Sequence, residues 1–229
     1  MKKLLSFAVV ALMAAMMVGC QSNSNQEEKI VTIETSMGNI VVKLYNETPL
    51  HRDNFLKLVN EKFYDSLLFH RVINNFMIQG GDPESAGRQK LDYTIPAEFK
   101  KKYFHKRGTL SAARLGDNVN RKRESSASQF YIVEGTVQTD EALDQIENMI
   151  ISMNRAIKNK KTHRFSKAHR EVYKTIGGAP HLDSQYTAFG EVIEGMDVVD
   201  KISNVAVNRA ARPLENVYII RAYEGKPQM

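Results

Sequence analysis

The sequence predicts a mainly β, closed or sandwiched fold with two short framework helices and one helical insertion, not a doubly wound α/β fold. Three observations lead there. Apolar runs are short and broken by Gly, Asp, Asn and Pro at irregular spacing, over 67–79, 108–113, 128–134, 186–193 and 216–223, whereas a doubly wound fold alternates strands with long helices. Outside one basic stretch, only two segments carry helical periodicity. The 229 residues are 42% hydrophobic and 25% charged, an ordinary globular balance that supplies a core and excludes wholesale disorder.

Residues 1–19 read as a signal peptide. Lys2 and Lys3 precede an apolar run from Leu4 to Val18, short for a permanent membrane span. The run ends Gly19-Cys20, which resembles the lipobox of bacterial lipoproteins. That resemblance implies cleavage before Cys20 and lipidation of Cys20, whose acyl chains anchor by about 0.8 kcal/mol per buried CH₂. Residues 20–29, with no apolar side chain from Gln21 to Lys29, are expected to be a polar tether. The expected location is the bacterial cell envelope, facing the periplasm. Gln21, where many inner-membrane lipoproteins have Asp, favours the outer membrane. Cys20 is the sole cysteine, so an internal disulfide framework and a multi-cysteine zinc site are excluded.

The domain is expected over 30–225. Ile30 to Thr35 reads as a strand, Ser36-Met37-Gly38-Asn39 as a turn, and Ile40, Val42 and Leu44 alternate on one face of a second strand. Thr48-Pro49 has the form of an N-cap with proline at the first helical position. Phe55, Leu58 and Val59 then give residues 49–60 one buried helical face. Met196, Val199 and Ile202 mark a second helix after Glu194-Gly195. Residues 137–180 differ in kind. Ile146, Ile150, Met153 and Ile157 predict one amphipathic helix, Phe165, Ala168, Val172 and Ile176 another, and Gly177-Gly178-Ala179-Pro180 a closing turn. Residues 155–174 hold eight Lys or Arg against Glu171 alone, a local charge of +7 that exceeds the whole chain's +6. The remaining framework is therefore mildly acidic. The basic stretch is expected to be a solvated face, or a surface for lipid head groups or an acidic partner. Nucleic acid is not an expected partner of an exported protein.

Three segments carry the chemistry: Phe69-His70-Arg71-Val72-Ile73-Asn74-Asn75-Phe76-Met77-Ile78-Gln79-Gly80-Gly81-Asp82, Gly108-Thr109-Leu110-Ser111-Ala112-Ala113 and Ser128-Gln129-Phe130-Tyr131-Ile132. With Leu182-Asp183 and Tyr186 to Val192, in this order, they resemble the cyclophilins, peptidyl-prolyl cis–trans isomerases. The resemblance spans roughly 30–223 apart from 137–180. It implies a closed eight-stranded antiparallel β-barrel with two capping helices, and proline-containing polypeptides as partners.

Rotation about an X–Pro bond faces a barrier of about 18–20 kcal/mol, because amide resonance stiffens the C–N bond. A catalyst needs no covalent step and no cofactor. It must hold the proline and stabilise a twisted amide whose nitrogen has regained its lone pair. The resemblance assigns that role to Arg71, a permanently charged fork of donors, with Gln79 and Gln129 positioning it and the substrate backbone. It implies a proline pocket of Phe76, Met77, Tyr131 and Leu182, and places Ala113, Arg114 and Tyr186 where the family grips the preceding peptide. His70 receives no acid–base role. His181, Tyr186 and Arg114 stand where many members have Trp, His and Asn, so weak inhibition by cyclosporin is expected. A non-catalytic proline-peptide binding module or chaperone on the same fold is the alternative. The six histidines show no metal-ligand spacing, so no metal is expected.

Overall fold

The computed structural model describes residues 27–156 and 164–227, excluding the side chains of 154–156. The expected signal peptide, Cys20, most of the tether and the stretch 157–163 lie outside the described residues. In chain order the strands are β1 (Ile30–Thr35), β2 (Gly38–Leu44), β3 (Arg71–Ile73), β4 (Met77–Gly80), β5 (Thr94–Ile95), β6 (Thr109–Ala112), β7 (Ser125–Ser126), β8 (Phe130–Val133), β9 (Ala188–Glu194) and β10 (Ile219–Glu224). The helices are α1 (Pro49–Asn60), α2 (Asp140–Ala156), α3 (Lys167–Thr175) and α4 (Met196–Ser203). None of the described helices is long and apolar enough to cross a membrane.

Eight strands form one antiparallel sheet in the order β10-β1-β2-β9-β6-β8-β4-β3, and β5 pairs with β7 apart from it. Here the expected closed barrel is corrected. The sheet curls, as accumulated strand twist requires, but among the described residues no ladder joins β3 to β10. β3 is only three residues long, and the chain before it meets the far edge through the single bridge Leu68–Tyr218 and a few backbone bonds. The result is a curled half-barrel.

The concave side holds the main core. Val31, Ile33, Ile40, Val42 and Leu44 of the first hairpin pack with Phe55, Leu58 and Val59 of α1 and Val198, Val199 and Ile202 of α4. Each such side chain contributes about 1.5–3 kcal/mol on full burial. Thr48 stands at the N-cap of α1, yet its hydroxyl donates to Tyr45 O instead of capping. The cap comes from afar. The Glu98 carboxylate accepts from the Leu50 and His51 N–H groups and from His51 Nδ1 (3.2, 3.0 and 2.7 Å), and His51 Nε2 lies 2.9 Å from Ser125 Oγ. This satisfies orphan donors at the positive end of the helix dipole. Gly195 begins α4 at φ +87°, where a Cβ would lie 2.1 Å from Asn39 O, so only glycine fits.

The two helices expected over 137–180 are present, but their buried faces differ from the expected ones. In α2 the buried apolar positions are Leu143 and Ile150, with Glu147 buried beside them, Ile146 half-buried and Met153 exposed. α3 runs back from Glu147 towards Asp140, so Met153 extends past its start. In the second helix Ala168 and Ile176 are exposed and Tyr173 is buried instead. The inward stripe is Phe165, His169 and Tyr173: His169 stacks on Phe104, and Tyr173 meets both Phe104 and Phe165 edge-on. Phe165 belongs to the expected face and is buried, but the other expected positions, Ala168, Val172 and Ile176, lie to one side of His169 and Tyr173. Arg164 pairs with Glu147, Arg170 with Asp140, Asp144 and Glu147, and Lys174 with Asp140 and Glu171. Much of the described basic charge therefore meets acids of α2 and α3 themselves.

Candidate active site

Alternation along the strands sorts side chains onto two faces. Val72, Ile78, Ile132 and Leu110 enter the main core. Their neighbours point the other way, and the registers Arg71↔Gln79, Gln79↔Tyr131 and Ser111↔Tyr131 set those four side chains in a row across β3, β4, β8 and β6. Directly opposed residues share a face and can interact. Arg71 Nη1 donates to Gln79 Oε1 (3.1 Å), and Gln79 Nε2 donates to Gln129 Oε1 (3.0 Å). Among the described residues, the Gln79 bond is the only hydrogen bond from the Arg71 guanidinium. The rest of its fork is available to a ligand.

Beside this relay lies a second apolar cluster. It comprises Met77, Ala113, Tyr131, Val133, Ala179 and Leu182, with Phe76, Ile73 and Tyr186 at its margin. Phe76 is presented by the tight turn into β4, where Asn75 has φ +61° and the Phe76 carbonyl accepts from Glu134 and Gly135 N–H. Its ring lies 5.2 Å from His181, and Tyr186 meets Tyr131 edge-on at 5.9 Å. Ala113 is tied to β8 by its N–H to Gln129 O (2.9 Å). Arg114 donates from Nε to Gln185 O (2.8 Å), covers the Tyr186 ring at 4.6 Å and pairs with Asp117. It thereby fastens the loop after β6 to the turn at 180–186.

All ten residues expected to bind or act on substrate thus lie around one surface: Arg71, Gln79 and Gln129 form the polar side, Phe76, Met77, Tyr131 and Leu182 the apolar side, and Ala113, Arg114 and Tyr186 the rim. Burial pushes the Tyr131 phenol well up, so it stays neutral. Burial, followed by neighbouring His105, pulls the His181 imidazole down, with Asp183 acting against them. His70 is likewise pulled down by burial. Among the described residues no cluster of three His, Cys, Asp or Glu side chains could hold a metal ion.

Sequence reasoning missed what holds the turn. Asp183 is buried directly after Leu182. It accepts from the His105 N–H and from His105 Nδ1 (2.8 Å each), and from the Tyr173 hydroxyl (2.8 Å). The His105 ring lies parallel to Tyr131, 6.2 Å away. The Leu182-Asp183 pair was a visible signal for Asp183. His105 lies 78 residues away and Tyr173 ten residues away on a separate helix, and neither carries one.

The model of the cyclophilin type peptidyl-prolyl cis–trans isomerase family matches residues 30–224. A protein of Staphylococcus haemolyticus carrying a peptidyl-prolyl cis–trans isomerase name is 31% identical over 193 residues, covering 82% of this chain and 87% of its own length. One of Staphylococcus aureus with the same name is 32% identical, covering 85% and 90%. A crystal structure of a cyclophilin type peptidyl-prolyl cis–trans isomerase of Cryptosporidium parvum superposes with a TM-score of 0.64 at 21% identity, covering 88% of this chain and 99% of that one. A second structure of that protein, in the presence of the dipeptide Ala-Pro, gives 0.62 at 21% identity over 86% and 99%.

Proposed function

The chain belongs to the cyclophilin-type peptidyl-prolyl cis–trans isomerases, and on that premise we propose that Arg71 drives rotation of an X–Pro bond held in the apolar pocket of Phe76, Met77, Tyr131 and Leu182. The observation that carries this reading is the Arg71–Gln79–Gln129 relay along one margin of that pocket. The apolar and aromatic chemistry of this cluster suits a pyrrolidine ring. The parasite relative was solved with Ala-Pro present, a ligand of the same kind.

The free donors of Arg71 face the prolyl nitrogen. In the planar amide that lone pair is delocalised and accepts poorly; in the twisted amide it is localised and accepts well. The hydrogen bond is therefore stronger in the transition state than in either ground state, and this difference accelerates rotation. Gln79 holds the guanidinium in place, and Gln129 passes the restraint on to β8. Ala113 and Arg114 grip the residues before proline. By this reading the protein acts on proline-containing exported polypeptides at the bacterial cell envelope, held there through lipidated Cys20. Mass spectrometry of the membrane-extracted protein tests the anchor: the expected N-terminal residue is acylated Cys20, and an unmodified Cys20 within a longer chain overturns it.

The test of mechanism is the exchange rate of a proline peptide, by NMR, with wild type beside Arg71→Ala. The variant is expected to lose roughly 100-fold in kcat/KM while melting like wild type. A folded variant with near-normal turnover sinks the role given to Arg71. A wild-type chain that binds the peptide without accelerating exchange sinks the isomerase reading.

A further inference from the structure

From the clamp on Asp183 we infer that Tyr173, on helix α3 of the 137–180 segment, is a positioning residue for the proline pocket, so that this helical pair is a working part of the isomerase site. The inference rests on the isomerase reading and extends it to a segment with no assigned role.

The Tyr173 side chain is fully buried, and its hydroxyl donates to Asp183 Oδ2 at 2.8 Å. Asp183 Oδ1 is held by His105 through both its N–H and its ring. The same carboxylate therefore joins α3, the stretch before β6 and the turn carrying Leu182. His105 O in turn accepts from Ala179 N–H (2.8 Å), and Leu182 O accepts from Gln185 and Tyr186 N–H. Backbone and side-chain bonds thus lead from Tyr173 to both apolar residues of this wall, Leu182 and Tyr186. The approach of α3 is built in. Gly178, at φ +153°, leaves no space for a Cβ, which would lie 2.7 Å from the Tyr173 ring and 2.3 Å from His105 O. A buried hydroxyl on a carboxylate is a strong, directional restraint. Its loss frees the turn to move while leaving Arg71, Gln79 and Gln129 in place.

The experiment compares the full chain as wild type, Tyr173→Phe and Arg170→Gln, by peptide exchange kinetics and by NMR titration with the same peptide. Tyr173→Phe keeps the ring and removes only the hydroxyl. It is expected to raise KM and Kd about threefold to tenfold with kcat nearly unchanged, the pattern of lost binding that does not discriminate the transition state. Arg170→Gln breaks the ion pairs between α2 and α3 without touching the pocket. It is expected to lower the melting temperature and leave KM and Kd alone. The inference is overturned if Tyr173→Phe matches wild type in KM and Kd, or if Arg170→Gln shifts them equally, since the effect is then only looseness of the helices. A wild-type chain silent in both assays points instead to failure of the isomerase reading.

Discussion

One wall of the pocket is sheet and the other is a turn, and the two hold their side chains by different means. On the sheet wall, Arg71, Gln79 and Tyr131 owe their alignment to ladder register. The backbone ladder there does not depend on these side chains, so removing one is expected to leave the others where they were. On the turn wall, Leu182 ends a short 3₁₀ segment, Pro180–Leu182, and Tyr186 lies four residues on; this turn is held largely by side chains, Asp183 on His105 and Tyr173 and Arg114 on Gln185 O. A ladder spreads its restraint over many backbone bonds, whereas the turn relies on a few side-chain bonds, those of Asp183 foremost. The sheet wall should therefore tolerate loss of a functional side chain without loss of stability, and the turn wall should not.

Asp183→Ala puts the largest load on that contrast. It orphans three buried donors at once: the His105 N–H, the His105 ring N–H and the Tyr173 hydroxyl. Each buried donor left unmade costs about 1–3 kcal/mol, so a loss of about 3 kcal/mol or more is expected. For a chain of this size that is a fall in Tm of about 10 °C. Arg71→Ala, expected to lose roughly 100-fold in kcat/KM, is expected to leave Tm within about 2 °C of wild type, as surface changes away from such networks usually do. Thermal melts of the two variants side by side decide the matter. Equal destabilisation would show that both walls are held alike.

The same difference governs how much of the site was legible. Strand alternation is local, so Ile40, Val42 and Leu44 announced their buried face, and the ordered segments around Arg71, Gln79 and Tyr131 pointed to one candidate site. The first hairpin, α1 and α4 were legible for the same reason. Long-range side-chain bonds leave no such periodic trace. Glu98, not Thr48, caps α1 from a loop almost fifty residues on, and Tyr173 reaches Asp183 from a helix whose aliphatic pattern pointed to a different face. The closed barrel was over-predicted because closure depends on the edge at Leu68–Tyr218. A single bridge there cannot be told from a ladder by the pattern of the strands alone.

Acidity separates the two walls by a smaller margin. The sheet wall's polar side chains, Arg71, Gln79 and Gln129, include no histidine or carboxylate. The turn wall carries His181, packed against Phe76, with its pKa pulled below the ordinary 6.5 by burial and then by His105. A proton therefore binds the unfolded chain more readily than the folded one at this position, and stability falls as pH drops below 6.5. The full penalty is reached once pH is below the depressed folded value. The Glu98 carboxylate runs in another window. In Glu98, hydrogen bonds from His51 and Leu50 outweigh burial and set the folded value below the ordinary 4.5, so its stabilisation is complete above 4.5 and is lost as pH falls further. A decline in Tm between pH 7 and 5 thus belongs to histidines, and one below 4.5 to carboxylates. His181→Asn, neutral throughout, is expected to reduce the first decline by about 1–2 °C and leave the second unchanged. In the wild type, kcat should stay level from pH 7 to 5 while KM rises as a cation forms beside Phe76. Melts and exchange kinetics at pH 7, 6 and 5 read both. A kcat that falls with KM constant would place the titrating group on the sheet wall and reverse the contrast.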